Sequence, residues 1–270
     1  MMRRALFWIG LIALLIVTLF PVYWVVATSL KTVKQAFAYP PTLLFEPTFA
    51  NYARVLQNGV FLRGFTNSFV VSISASVIAV AIGACAAYGL VQQTPEKRRS
   101  LEKFVLGLRI APALIFVVPT YYLAVRLGML NSHSLLIAVY AFVNIPFAIS
   151  MMVTFFEDIP HELRDAARVD GARELRIFWS VILPLARGGL VATLILCVLF
   201  TWNEFFIALV LSGRNTQTLP VTVTSFLTFQ GIEWGPLTAA ATLIMLPMVV
   251  LGLLVQGNVV SGMTLGSVKG

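Results

Sequence analysis

The sequence predicts an all-α protein that lives in a bilayer, and three observations carry that prediction. Hydrophobic residues make up 59% of the 270-residue chain. Only 11% of it is charged, where soluble domains carry about 25%. The apolar residues gather into six segments, each near the roughly 20 residues that a helix needs to cross a hydrocarbon core of about 30 Å. In hydrocarbon every backbone amide must find its partner within the segment, and the alternation that a membrane barrel needs is missing, so helices are expected.

The first span is read at Ala5–Leu30. Met1-Met2-Arg3-Arg4 precedes it in the manner of a signal peptide, but the apolar run exceeds a signal core of about 7–15 residues and no small-x-small cleavage site follows. It is expected to stay. The second span, Thr66–Gln92, carries Ser72, Ser76, Gly83 and Ala87, small residues that let helices approach closely. The third and fourth are read at Phe104–Val125 and Ser134–Phe156, the fifth at Gly188–Leu211 and the sixth at Pro236–Val260. Pro112, Pro119, Pro146 and Pro247 are expected to bend them. The outer connection from Lys31 to Phe65 is long enough for a short amphipathic helix near Phe49–Leu56 but not for a receptor domain, so residues 1–270 read as a single transmembrane domain.

Orientation follows from the basic residues beside the spans. Twelve of the 19 Lys and Arg, among them Arg3, Arg98, Arg168 and Arg187, fall on the side that six spans give to both termini, and six, from Lys31 to Arg214, fall opposite. Both termini and the loop between the fourth and fifth spans are therefore expected in the cytoplasm. The net charge of +8 reads as topology and contact with anionic lipid, not as nucleic-acid binding.

Little else in the chain suggests chemistry. Cys85 and Cys197 fall inside spans and read as packing residues, and His133 and His161 have no second ligand at metal spacing. The Gly-x-x-x-x-Gly-Lys-Ser/Thr cradle for nucleotide phosphates does not occur, so any ATP must be bound by another polypeptide. Arg109 lies near a span end, and snorkelling or a loop contact is expected of it in preference to a transport role. Glu204 lies about 16 residues into the fifth span, where a central acid costs on the order of 2.5–3.5 kcal/mol and faces a polar interior. With Trp202 and Asn203 it offers a ring, an amide and a carboxylate. These can line a solute pathway or bond a neighbouring helix, and the sequence leaves both open.

The loop from Glu157 to Arg187 concentrates six of the eleven acidic residues and five of the 19 basic ones. Pro160 suits a first helical turn, and Glu157, Asp158 and Glu162 put negative charge where a helix N-terminus favours it. A helix is expected from about Pro160 to Val169, closed by Asp170-Gly171, with Gly171 taking the left-handed conformation. Leu175, Phe178, Val181, Ile182 and Leu185 then mark one face of a second helix. Ala166 and Ala167 would admit a partner closely, with Arg164, Asp165 and Arg168 pairing at the rim.

Asp165-Ala166-Ala167, three residues, Gly171, nine residues and Val181-x-Leu183-Pro184 resemble the EAA loop of ATP-binding-cassette importer permeases, with Asp for Glu and Val for Ile. Asn51-Tyr52, Asn67-Ser68, Arg109-x-x-Pro112, Trp202-Asn203-Glu204 and the ending Gly262–Gly270 extend the resemblance along the chain to the MalG-like, carbohydrate-importing branch, although Gln256-Gly257-Asn258 lacks the basic residue usual there.

The resemblance implies a bacterial or archaeal inner-membrane permease that pairs with a second, MalF-like permease and two ATP-binding subunits. An extracytoplasmic substrate-binding protein would deliver a sugar or sugar-like solute. ATP and Mg would be held by the ATPase subunits and no cofactor by this chain, which would not itself be an enzyme. It implies that Glu162, Asp165, Ala166, Ala167, Asp170 and Gly171 contact an ATPase, and that Leu183-Pro184 joins the loop to the fifth span. A secondary transporter is the alternative. It should carry paired carboxylates or an inverted repeat, and one deep acid without a visible repeat argues against it.

Overall fold

The computed structural model describes residues 2–110, 113–229 and 231–265. Fourteen α-helical segments follow in order among them: α1 (Met2–Ser29), α2 (Val33–Ala36), α3 (Ala50–Gln57), α4 (Gly59–Val91), α5 (Pro95–Ile110), α6 (Ala113–Arg126), α7 (His133–Glu157), α8 (His161–Val169), α9 (Glu174–Ile177), α10 (Leu183–Leu185), α11 (Arg187–Asn203), α12 (Phe206–Leu211), α13 (Leu219–Thr222) and α14 (Trp234–Leu265). A π turn at Phe178–Ile182 joins α9 to α10, and a 3-10 turn at Val223–Phe226 follows α13. The only strands among the described residues are β1 (Leu227–Thr228) and β2 (Gly231–Ile232), an antiparallel pair. The fold is all-α, as the composition predicts.

Among the described residues four helices are long and apolar enough to cross a membrane, within α1, α4, α7 and α14, and they correspond to the first, second, fourth and sixth expected spans. In the third, the described residues form α5 and the shorter apolar helix Ile115–Arg126; residues 111–112, with the expected bend at Pro112, lie outside the described residues. In the fifth, the arm Glu174–Leu185 meets Arg187–Asn203 at 78°, and the helix stops again at Asn203 before α12 begins.

The chain divides into two compact units. One gathers residues 2–62 with Thr222–Pro247. Here Asn51 donates from Nδ2 to the carbonyls of Ser29 and Lys31 at 2.9 Å each, closing the C-terminal end of α1. Tyr52 Oη lies 2.6 Å from Ser29 Oγ, and Arg54 pairs with Glu233 at 2.7 Å. Gly235 is needed beside Asn51, because a Cβ there would stand 2.5 Å from Oδ1. The Asn51-Tyr52 signature therefore fastens the outer loop to the end of α1, and Arg54 ties it to Glu233 just before α14. The expected outer helix is present as α3.

The larger unit contains Arg63–Val221 and residues 248–265. Its core is a seam of α4, α7 and α11 in which α4 and α7 nearly touch: a Cβ on Gly83 would fall 2.6 Å from that of Ala148. Ala84, Ala87, Tyr88 and Val91 pack there against Ile149, Met152, Val153 and Phe156, with Ile177, Phe178 and Ile182 of the loop completing the cluster. Burying such side chains stabilises the contact of loop and spans by about 1.5–3 kcal/mol each where water is the alternative. At the other end of α4, Asn67 donates to the carbonyls of Asn215 (2.9 Å) and Gln217 (3.0 Å), and His133 Nε2 meets its Oδ1 at 2.8 Å. Ser68 Oγ accepts from the Leu219 amide at 2.7 Å. Like Asn51, the Asn67-Ser68 signature is a backbone staple.

Candidate functional site

The loop folds as two short helices joined at a bend, as its capping signals predict. Pro160 stands at the N-cap of α8, and Asp170 closes it. The Asp170, Gly171 and Ala172 amides bond back to the carbonyls of Ala166, Arg168 and Ala167 at 3.0 Å each. Gly171 has φ +79° with open space around it, so the requirement for glycine is conformational. On α8, Glu162, Asp165 and Ala166 are exposed while Ala167 packs inward. Leu163, 44% exposed, and Val169, 87% exposed, join Ala166 at three-residue intervals, making an apolar stripe framed by carboxylates. Of that stripe the sequence singles out Ala166 but not Leu163 or Val169, although an i, i+3, i+6 spacing on a polar helix is the signal for it.

Three expectations need correction. Arg164 does not stand at the rim: it is 6% exposed and bonds His161 Nδ1 at 2.7 Å. Arg168 is used within the loop, donating to Asp165 Oδ1 at 3.1 Å and to Glu174 Oε1 at 2.8 Å. Beyond Gly171 the apolar face is shifted. Leu175 and Leu185 are exposed, whereas Ile177, Phe178 and Ile182 are buried. The π turn at Phe178–Ile182 supplies the reason, because its extra residue breaks the 3.6-residue period that the expectation assumed.

Glu174 connects the loop to a span. Its Oε2 accepts from Tyr88 of α4 at 2.7 Å while Oε1 accepts from Arg168. These two hydrogen bonds, the arginine's first and then the tyrosine's, hold the carboxyl below the ordinary 4.5 of a glutamate. Tyr88 is 7% exposed, with its ring centroid 5.1 Å from that of Phe178 and 6.4 Å from that of Phe156. Arg98 of α5 pairs with Glu157 at the end of α7. Leu183 and Pro184 stand at the bend where the loop turns into α11, Leu183 half-buried and Pro184 exposed.

Trp202, Asn203 and Glu204 point to different surroundings. Trp202 is 3% exposed and meets Phe65 edge-on at 5.8 Å. Glu204 caps α12: it accepts from the amides of Phe206 (3.0 Å), Ile207 (2.9 Å) and Ala208 (3.4 Å), and from Tyr140 Oη at 2.9 Å. Asn203 alone of the three is exposed, although its Nδ2 also donates to the Leu199 carbonyl at 2.9 Å. Arg109 is exposed and lies 4.6 Å from the ring centroid of Phe147 and 4.5 Å from that of Phe200, a pair of cation–π contacts.

Residues 79–265 match the family of binding-protein-dependent transport system inner membrane components. The chain belongs to that family. The permease is 37% identical to a probable ABC transporter permease protein of Sinorhizobium fredii, over 98% of this chain and 94% of that one. It is 34% identical to the trehalose transport system permease protein of Mycobacterium tuberculosis, over 99% of each. A solved chain from a bacterial ABC transporter that imports the acidic polysaccharide alginate shares the permease's fold, with a TM-score of 0.79 at 20% identity over 95% of this chain and 96% of that one. The matched region contains the loop and the Trp202–Glu204 break, so both belong to a membrane component of a transport system and not to an enzyme active site.

Proposed function

We propose that this permease carries a sugar or sugar-like solute across the inner membrane as part of an ATP-driven importer, and that the loop of residues 157–187 couples it to ATP hydrolysis. A second permease would complete the pathway, two ATPase subunits would bind ATP and Mg, and an extracytoplasmic binding protein would deliver the solute. Both termini and the loop lie on the cytoplasmic side in this reading. The trehalose system of the Mycobacterium tuberculosis relative supports the solute class.

One observation carries the coupling role: α8 presents Glu162, Asp165, Ala166 and Val169 outward, while the segment after Gly171 is buried against α4 and α7 through Ile177, Phe178 and Ile182. A knob free on one side and anchored on the other can transmit motion. Glu162, Asp165, Ala166 and Asp170 would meet the ATPase, Gly171 and Ala167 would hold the bend, and Leu183-Pro184 would pass movement to α11. On the solute side Asn203 would reach the pathway, supported by Trp202 and Glu204.

Purification of the tagged permease in mild detergent tests the assembly: an ATPase and a second permease should come with it. A secondary transporter would be recovered alone. Gly171→Asp imposes a side chain at φ +79°. It should leave the protein in the membrane and ATP hydrolysis within about twofold, while solute uptake falls by about tenfold or more. Normal uptake by this variant counts against the coupling role.

A further inference from the structure

We propose that Tyr88, Glu174 and Arg168 form a tether that makes span α4 follow the helix α8 when the loop moves. The inference rests on the coupling role just proposed for that loop, and adds the span to which movement is delivered and the atoms that deliver it.

Beyond the bend at Gly171, α8 is held mainly from one side. Its contact residue facing the core is the small, half-buried Ala167, and its buried arginine, Arg164, bonds a histidine of the same helix. Glu174 adds a hydrogen-bonded connection to another element. One oxygen takes Arg168 Nε at 2.8 Å and the other takes Tyr88 Oη at 2.7 Å, so a single carboxylate joins α8 to a residue 86 positions away on α4. Hydrogen bonds to an ionised carboxylate are the stronger kind, and Tyr88 is clamped between Phe156 and Phe178. A pull on α8 is thus passed through a braced ring to α4 without passing through the π turn or the 78° bend, the two places where the backbone route can yield. Tyr88 and Glu174 act through Arg168 and are positioning residues.

A reporter already stands beside the tether. Cys85, exposed and three residues before Tyr88, lines an apolar cleft of about 400 Å³ whose other wall includes Phe178, Trp179 and Leu183 of the loop. If α4 follows the loop, the cleft keeps its shape when the loop moves. If the tether is cut, the walls part in one nucleotide state and not the other. Cys197 is fully buried and serves as the silent control.

The test is the rate of Cys85 alkylation by a maleimide in the purified complex, nucleotide-free and trapped with ATP and vanadate. In the natural chain the two rates should agree within about twofold. In Tyr88→Phe, which keeps the ring stack, and in Glu174→Gln, they should differ by about fivefold, the lower end of ordinary coupling energies. The double variant should behave like either single one, since both remove the same link. Equal acceleration in both nucleotide states would mean that the bond only steadies the loop, and would overturn the tether. So would state-dependent alkylation of the natural chain as large as that of the variants, or no nucleotide dependence in any of them. These failures leave the coupling reading standing where an ATPase copurifies and Gly171→Asp uncouples uptake. Where neither holds, the coupling reading falls as well.

Discussion

Glu174 and Glu204 are both carboxylates bonded to a tyrosine of another helix, and the use made of that bond differs. Glu174 divides its oxygens between Arg168 on α8 and Tyr88 on α4. Glu204 turns most of its capacity onto its own chain, closing the start of α12 through the amides of Phe206, Ile207 and Ala208, with Tyr140 of α7 as a fifth wheel on the same oxygen as Ile207 and Ala208. The first joins elements that the backbone holds only loosely, in a region open to a partner. The second repairs a break in a span, where no water is at hand to replace it. A charge in an exposed loop and a charge in a membrane helix therefore need different proof before either is assigned to transport.

The largest expected effect is on the interior carboxylate. Glu204→Ala removes the cap and leaves several backbone donors without an acceptor, and should destabilise the permease by about 3 kcal/mol. A sharply lower thermal midpoint in detergent and poor recovery of the complex would show it. Midpoint and yield close to those of the natural chain would mean that the break does not need its carboxylate, and would return Glu204 to the pathway as a free side chain.

A smaller effect sharpens the contrast between the two tyrosines. Tyr140→Phe leaves Glu204 its backbone partners, so a loss of about 1 kcal/mol is expected, with the ratio of solute moved to ATP hydrolysed unchanged. Tyr88→Phe should behave oppositely, with little change in thermal midpoint and a nucleotide-dependent Cys85. Reversal of that order would erase the distinction between a structural and a transmitting carboxylate.

The smallest effect comes from acid. The folded-state pKa of Glu174 lies below its ordinary 4.5, so its contribution to the loop is complete above about pH 4.5 and is lost as pH falls through the lower folded-state value. Arg168, Tyr88 and Arg164 are the groups that face it. Amide exchange in α8, corrected for its intrinsic pH dependence, should accelerate below that value while exchange in the middle of α7 does not. Equal acceleration in both helices would show general acid unfolding in place of loss of the link.

The parts that the sequence made legible are those whose signals are local. Pro160 and Gly171 bracket α8 within a residue because a helix end is specified by the few residues beside it. The four uninterrupted spans follow from apolar length. What escaped depends on distant partners. Nothing near Glu174 points to a tyrosine 86 residues earlier, and nothing near Asn67 points to the carbonyls at 215 and 217. The approach of Phe147 and Phe200 to Arg109 likewise exists only once α5, α7 and α11 are packed. The face of the second loop helix was misjudged at Leu175 and Leu185 for a different reason: a regular period was applied across a turn that is irregular.

That irregular turn makes arithmetic part of the loop's chemistry. In an α-helix each residue advances the chain by about 100°, so one residue added to or taken from the turn at Phe178–Ile182 would swing everything before it around the axis by more than a quarter of a circle. Glu174 would face away from Tyr88, and the stripe of Leu163, Ala166 and Val169 would be aimed elsewhere, without any contact residue having changed identity. In the coupling role proposed for the loop, Asp for Glu at 165 and Val for Ile at 181 would each keep the direction of the side chain. The number of residues between Gly171 and Pro184 would have no such latitude: in that role it would work like the tooth count of a gear, in which a different metal still meshes and a missing tooth does not.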